Sequence, residues 1–214
     1  MSTPSVSAVL QVDGLGFGYP GQAALFANWS TRVAPGLTLV RGGESSGKTT
    51  LLRLLAGDLA AQAGEIRING ITLGAQPAAY RQKVFWTNPR TDAFDQVTVL
   101  DYLASLHPRY PAFDQRAVPA LLESLSLTEH RHKPLYMLST GSKRKVWLTA
   151  AFASGAALTL LDDPFAALDK ASIGLVLQLL EKETAKQGAA RSWMLADYEA
   201  PGKLPLAATI ALGD

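Results

Sequence analysis

"VRGGESSGKTTLLRLLAG" (residues 40–57) sets the terms for the rest of the chain. Gly42 and Gly47, followed by Lys48 and Thr49, fit the pattern G-x-x-x-x-G-K-[ST], in which backbone N–H groups wrap a run of phosphates. The apolar "LTLV" before it reads as a strand, and "TTLLRLLAG" after it has helical spacing. A helix start adds unpaired N–H groups and the positive end of a dipole where the phosphates would lie. On this pattern Gly42, Gly43, Glu44, Ser45, Ser46, Gly47 and Thr50 form the cradle. Lys48 reaches the β- and γ-phosphates, and Thr49 offers its hydroxyl to Mg²⁺. A glycine-rich turn that merely caps a helix is the plainer alternative; the strand–loop–helix context argues against it. Two residues are out of character. Glu44 repels phosphate unless it faces away, pairs with a cation such as Arg41, or meets a partner subunit. Ser45 stands where glycine would enter the turn more freely.

The bulk numbers narrow the surroundings of this loop. A chain of 214 residues suits one domain with room for an insertion. The 20 Lys and Arg against 18 Asp and Glu leave a net charge of +2, so no basic excess exists to bind bulk nucleic acid, and no nucleic-acid partner is expected. With no cysteine, disulfides and thiolate metal sites are excluded. The start "MSTPSVSAVLQVDG" lacks the basic-then-apolar pattern of a secretory signal. The apolar stretch "WLTAAFASGAALTLL" (147–161) is too short and too interrupted for a membrane span. These features predict a soluble cytoplasmic chain whose contact with a membrane runs through a separate partner.

Around the loop, "AVLQVDGL" (8–15), "ALFANWSTRV" (24–33) and "LTLVRG" (37–42) read as strands, and "GEIRINGITL" (64–73) as a hairpin turning at Asn69-Gly70. From about Asp92 to Leu138 the texture turns helical, with "VTVLDYLASL" and "QRAVPALLESLSL" at helical spacing. "SKRKVWLTAAFA" then predicts an amphipathic helix, "ALTLLDD" a buried strand, "KASIGLVLQLLEKETAKQ" a helix, and "SWMLAD" and "AATIAL" the last strands. The alternation argues for a mostly parallel α/β core beside a small antiparallel sheet.

Two further stretches carry chemistry. "LTLLDDPFAALD" (158–169) is an apolar strand ending in Asp162, a carboxylate placed to hold Mg²⁺ beside the phosphates. "LSTGSKRKVWLTAAF" (138–152) starts a helix capped by Ser139; on the plain reading Lys143, Arg144 and Lys145 are a solvated basic face. In order and spacing the three stretches resemble the nucleotide-binding domain of ABC transporter ATPases. "LSTG" stands for the family's signature sequence, "LLDDPFAALD" for its Walker B strand and D-loop, and "YPG" (19–21) for the aromatic loop that stacks on adenine. The short chain, "GKTTLLRLLAG", "TVLDYL" and "DDPFAALD" are most similar to the ATP-binding subunits of cytochrome c biogenesis haem exporters.

The resemblance implies an α/β P-loop NTPase core of ABC type, with an N-terminal antiparallel β subdomain and a helical subdomain insertion. The whole chain is then one domain, with core 1–88 and 149–214 and a helical subdomain at about 89–148. It implies ATP and Mg²⁺, a membrane permease as a separate chain, and a position at the inner face of the membrane. It also implies a homodimer or a heterodimer with another ABC ATPase domain, in which two copies sandwich nucleotide head to tail. Carried over residue by residue, Tyr19 stacks on adenine, with Phe17 a substitute, and Ser139, Gly141 and Asp169 meet nucleotide across the dimer interface.

Three positions depart from the family pattern. Asp163 stands where the family has the Glu that polarises the attacking water. Asn88, before Pro89, stands where a Gln senses Mg²⁺, although the alignment leaves Asn88 and Pro89 both open. Tyr198 stands where a His contacts the γ-phosphate, and a phenol donates a hydrogen bond without carrying imidazolium charge. The expectation is an ATPase with a kept binding half and an attenuated hydrolytic half. The alternative is a degenerate module that binds ATP for regulation, or as the inactive half of a heterodimer.

Overall fold

Alternation of side chains divides the core before any helix is placed. The strands are β1 (Leu10–Phe17), β2 (Phe26–Val33), β3 (Gly36–Arg41), β4 (Ala63–Ile68), β5 (Ile71–Thr72), β6 (Val84–Trp86), β7 (Leu158–Asp162), β8 (Ser192–Asp197) and β9 (Leu206–Ala211). In the computed structural model, residues 8–186, 190–199 and 202–213 are described. The first half of the N-terminal stretch read for a targeting signal, and the last residue of the 170–187 helix reading, lie outside them. Four strands form an antiparallel sheet in the order β2-β1-β4-β5, and five form a parallel sheet in the order β6-β7-β8-β3-β9. The β4–β5 hairpin turns at Asn69 (φ 49°) and Gly70 (φ 79°), pairing Ile68 with Ile71. Both central residues in the left-handed region make this the turn that matches strand twist.

Helix α1 (Lys48–Ala56) is apolar nearly all round, because it lies between the two sheets. Leu51, Leu52, Leu54 and Leu55 are fully buried. They share one core with Leu10, Val12 and Leu15 of the antiparallel sheet and with Val40, Leu158, Leu160 and Met194 of the parallel one. Each such leucine contributes about 1.5–3 kcal/mol by burial. The opposite face of the parallel sheet, with Leu37, Leu39, Leu161, Trp193 and Leu195, packs against the remaining helices. Burial on both faces is the normal condition of a parallel sheet and explains the unbroken apolar run of β7.

After α2 (Pro77–Arg81) and β6, the chain runs through α3 (Val99–Ser105), α4 (Val118–Ser124), α5 (Thr140–Ala153) and, beyond β7, α6 (Lys170–Thr184). No strand interrupts the described residues from 87 to 157, apart from a single bridge between Thr98 and Pro134 that closes the base of the helical segment. Helix α5 departs from the amphipathic expectation. Every residue from Val146 to Ala153 is buried, because the helix runs between the parallel sheet and the other helices.

The rim shared by three strands of the parallel sheet places the site. β3, β7 and β8 run in register, with Arg41 beside Asp197 and Asp162 beside Ala196. The C-terminal ends of three strands therefore open on one rim, where an open parallel sheet places its ligands.

Candidate nucleotide site

The loop between β3 and α1 is built on tight approaches. At Gly42 a Cβ would come 2.6 Å from the Leu212 carbonyl oxygen, and at Gly47 (φ 94°) one would come 2.8 Å from Leu25. Gly43 has open space around it, so its glycine is not required by packing. Ser45 sits at φ 60°, the left-handed conformation expected to strain a non-glycine residue. Lys48 folds back over the loop, its Nζ donating to the carbonyls of Gly42 at 2.7 Å and Gly43 at 2.8 Å. Glu44 is exposed on the same cleft and forms no ion pair among the described residues, with Arg41 or any other cation.

A cleft of about 860 Å³ joins this loop to the strand rim. Its walls include Tyr19, Gln22 and Leu25 on one side, Gly42 and Glu44 through Thr50, and then Arg90, Asp162, Asp163, Asp197 and Tyr198. Thr49 Oγ1 donates to Asp162 Oδ2 at 2.7 Å, which ties the start of α1 to the end of β7. Burial raises the Asp162 carboxyl above the usual range; the Thr49 hydrogen bond opposes this and the neighbouring Asp163 adds to it. Asp163 takes φ 43°, with its N–H donating to Ala196 O at 2.9 Å, and is exposed to the cleft. Tyr19 stands edge-on to Phe17 at 5.0 Å and shares a 3.1 Å hydrogen bond with Thr50 Oγ1. It is the more exposed of the two rings, since Phe17 is buried.

The other sequence-predicted residues fall elsewhere. Asn88 lines a neighbouring cavity of about 440 Å³ with Trp86, Thr87 and Tyr102, and its Oδ1 accepts from the Arg90 N–H at 3.0 Å. Tyr198 does line the nucleotide cleft, but it is 72% exposed and only its backbone is held, donating to Asp197 Oδ1 at 2.7 Å. Ser139, Gly141 and Asp169 lie outside the cleft. Ser139 caps α5 by accepting from Ser142 N at 3.1 Å. Gly141 lies against the loop after β7, where a Cβ would meet Ala167 O at 2.4 Å.

Asp169 caps α6, accepting from Ser172 N at 2.8 Å and Ser172 Oγ at 3.0 Å. These bonds, with Lys145 nearby, hold its carboxyl below the usual range. A depressed folded value means that the stabilisation is present above the unfolded value, about 3.9, and is lost as pH falls through the folded one. Asp169→Ala is therefore expected to lower the melting temperature at pH 7, with the gap to the parent closing below about pH 4. Thermal melts from pH 7 to pH 3 check this; a gap independent of pH would show that the charge plays no part.

Arg90, Asp197 and Arg144 are site residues that the sequence reading did not single out. Asp197 ends β8 and Arg90 follows the short β6, so only the strand order brings them to the loop. Arg144 is not part of a solvated face: its Nη1 donates to Asp162 O at 3.0 Å and Asp163 O at 2.8 Å. Its neighbours are also engaged, Lys143 with Asp95 at 2.6 Å and Lys145 with Asp169 at 3.7 Å.

The sequence model described as "ABC transporter" matches residues 26–166, well over half of the chain and all of this architecture from β2 to the loop after β7. The chain belongs to the ABC transporter family. Among its relatives is the cytochrome c biogenesis ATP-binding export protein CcmA of Pseudomonas savastanoi pv. phaseolicola, 34% identical over 165 residues, or 77% of this chain and 78% of that one. The protein of the same name in Rhodospirillum rubrum is 34% identical over 188 residues, or 87% and 80%. A solved structure of an ATP-binding subunit of an ABC transporter superposes with a TM-score of 0.80 at 25% identity, covering 89% of this chain and 79% of that one. For cbiO1 of Clostridium perfringens, part of the ABC transporter complex cbiONQ, the TM-score is 0.67 at 18% identity, covering 90% and 79%; this likeness is one of fold. The α/β ABC fold expected from the sequence is thus the fold observed.

Proposed function

We propose that this ABC-family chain binds Mg-ATP in the cleft above α1 and hydrolyses it slowly to drive a separate membrane permease. The observation that carries the reading is the 2.7 Å contact between Thr49 and Asp162, beside Lys48 at the mouth of the loop. Two hard oxygens at one point suit Mg²⁺, which takes one or two protein oxygens and fills its shell with water and phosphate. No cluster of three or more His, Cys, Asp or Glu side chains able to cage a metal occurs among the described residues. The site therefore fits an ion that arrives with its nucleotide. When bound, Mg²⁺ supplies charge neutralisation at the β- and γ-phosphates.

The protein's own groups supply the rest of this reading. The loop amides and the start of α1 hold the phosphates, Lys48 swings from the loop carbonyls to the β–γ bridge, and Tyr19 covers the base. Asp163 orients a water whose oxygen attacks the γ-phosphorus as the bond to the bridging oxygen breaks. ADP and phosphate leave, and the water's proton passes by way of Asp163 to phosphate or solvent. Ser139, Gly141 and Asp169, outside their own cleft, belong on this reading to the interface with a second ATPase domain, identical or not. Residues 89–148 act as the helical subdomain and, with Asn88 at its edge, face the permease. No described helix is long and apolar enough to cross a membrane; on this reading the chain reaches the cytoplasmic face of the membrane through the permease.

The exposed Tyr198 and Asn88, which lines a different cavity and spends its Oδ1 on the Arg90 N–H, favour a second reading, a module that binds ATP but turns it over little or not at all. Calorimetric ATP affinity set against steady-state phosphate release separates the two. Micromolar binding with measurable Mg²⁺-dependent turnover supports the first, and binding without turnover supports the second. Absence of binding sinks both. Purification from membranes together with a multi-spanning protein tests the permease.

A further inference from the structure

We propose that Arg90 is a γ-phosphate ligand, a cation that the loop after β6 brings to the end of the cleft where Tyr198 offers none. The proposal rests on the nucleotide reading above and adds a residue to it. Arg90 lines the same cleft as Thr49, Asp162 and Asp163. Thr87 and Pro89, just before it in the chain, line a small cavity with Asp162 and Arg144, which places Arg90 at the metal end of the cleft rather than beside Tyr19. It is nonetheless uncommitted. Arg90 is exposed, and its side chain makes no ion pair or hydrogen bond among the described residues. By contrast Arg144 is tied to the carbonyls of Asp162 and Asp163.

Charge balance gives the free guanidinium its use. The cleft carries the carboxylates of Glu44, Asp162, Asp163 and Asp197 against only Lys48 and Arg90. A triphosphate adds further negative charge, the largest share of it on the γ-group, and Lys48 alone cannot offset that excess. A planar guanidinium binds a phosphoryl group through two parallel N–H bonds. The backbone is already arranged for this: Asn88 Oδ1 accepts from the Arg90 N–H at 3.0 Å and Asn88 O from the Thr91 N–H at 3.1 Å, which closes a turn that directs Arg90 from β6 toward the cleft. The same contacts explain a shorter Asn at 88, since an Asx turn needs the acceptor one methylene from Cα.

The test is calorimetry of ATP and ADP, each with Mg²⁺, on the full chain and on Arg90→Ala, Arg90→Lys and Lys48→Ala. A γ-phosphate ligand predicts that Arg90→Ala weakens ATP about 10-fold while ADP changes less than about 2-fold, the scale of one charge-assisted contact. Arg90→Lys should fall between the two, and Lys48→Ala should weaken both nucleotides. An unchanged ATP-to-ADP affinity ratio in Arg90→Ala, with the parent binding normally, overturns the assignment of Arg90 alone. A parent that binds neither nucleotide overturns the function and this residue's role together.

Discussion

Lys48→Ala is expected to abolish most of the rise in melting temperature that Mg-ATP produces in the parent protein. Ligand at about 100 times Kd stabilises a folded protein by roughly 2.7 kcal/mol, so the parent shift is easily read. The structure shows what the substitution removes. Lys48 Nζ is held 2.7 and 2.8 Å from two carbonyls of its own loop, on a helix whose next turn is anchored by the buried Leu51 and Leu52. Its aliphatic stem is therefore aimed along the loop, and only the tip moves to meet phosphate. Loss of a charge-assisted ligand to two phosphate groups should weaken ATP by about 100-fold or more. The protein without nucleotide should melt close to the parent, because Gly43 is exposed and water can replace the ammonium there. A variant that keeps the full ATP-dependent shift would remove the phosphate loop from the binding account.

The second large effect runs in the opposite direction. Asp163→Glu combined with Tyr198→His is expected to raise turnover by roughly 10-fold or more, if each displaced group costs a kcal/mol or two in the transition state. Such groups act on the transition state rather than on ground-state binding, so kcat should rise while ATP affinity stays within a few-fold. The Asp163 backbone is held by Ala196 O and by Arg144, so the added methylene extends the carboxylate from a fixed base. The cost is at φ 43°, which Asp tolerates better than Glu, and a small loss of stability should accompany the gain. The two substitutions serve one γ-phosphate geometry and should not add. Glu44→Asn belongs in the same series, since an unpaired carboxylate on the cleft could hide the gain. A parent that already turns over rapidly, with no increase in the double variant, would end the idea of an attenuated site.

Much of the fold could be read directly because its periodicities are long or its turns chemically marked. Asn69-Gly70 announced its hairpin, the run "LTLLDD" a doubly buried strand, and "TTLLRLLAG" the central helix. The three-residue β6 was invisible as a strand, because alternation needs more residues than it has. The basic run at 143–145 read as a surface patch for a related reason. Its partners, Asp95, the carbonyls of Asp162 and Asp163, and Asp169, are brought in only by tertiary packing. Of the cleft, the residues lying in motifs were legible, while Arg90 and Asp197 were not. Asp197 ends β8 and Arg90 lies in the loop after β6, and both strands have sheet neighbours distant in sequence.

Arg144 carries one further consequence. It leaves α5 one turn beyond the capped N-terminus at Ser139 and grips the backbone at Asp162 and Asp163, while Gly141 lies against the backbone of Ala167. The end of the helix that would face a second domain and the carboxylate that would handle water in the first are thus two ends of one short lever. Load applied at that helix end would reach the Asp163 backbone through a single guanidinium, with no loop between them to absorb it.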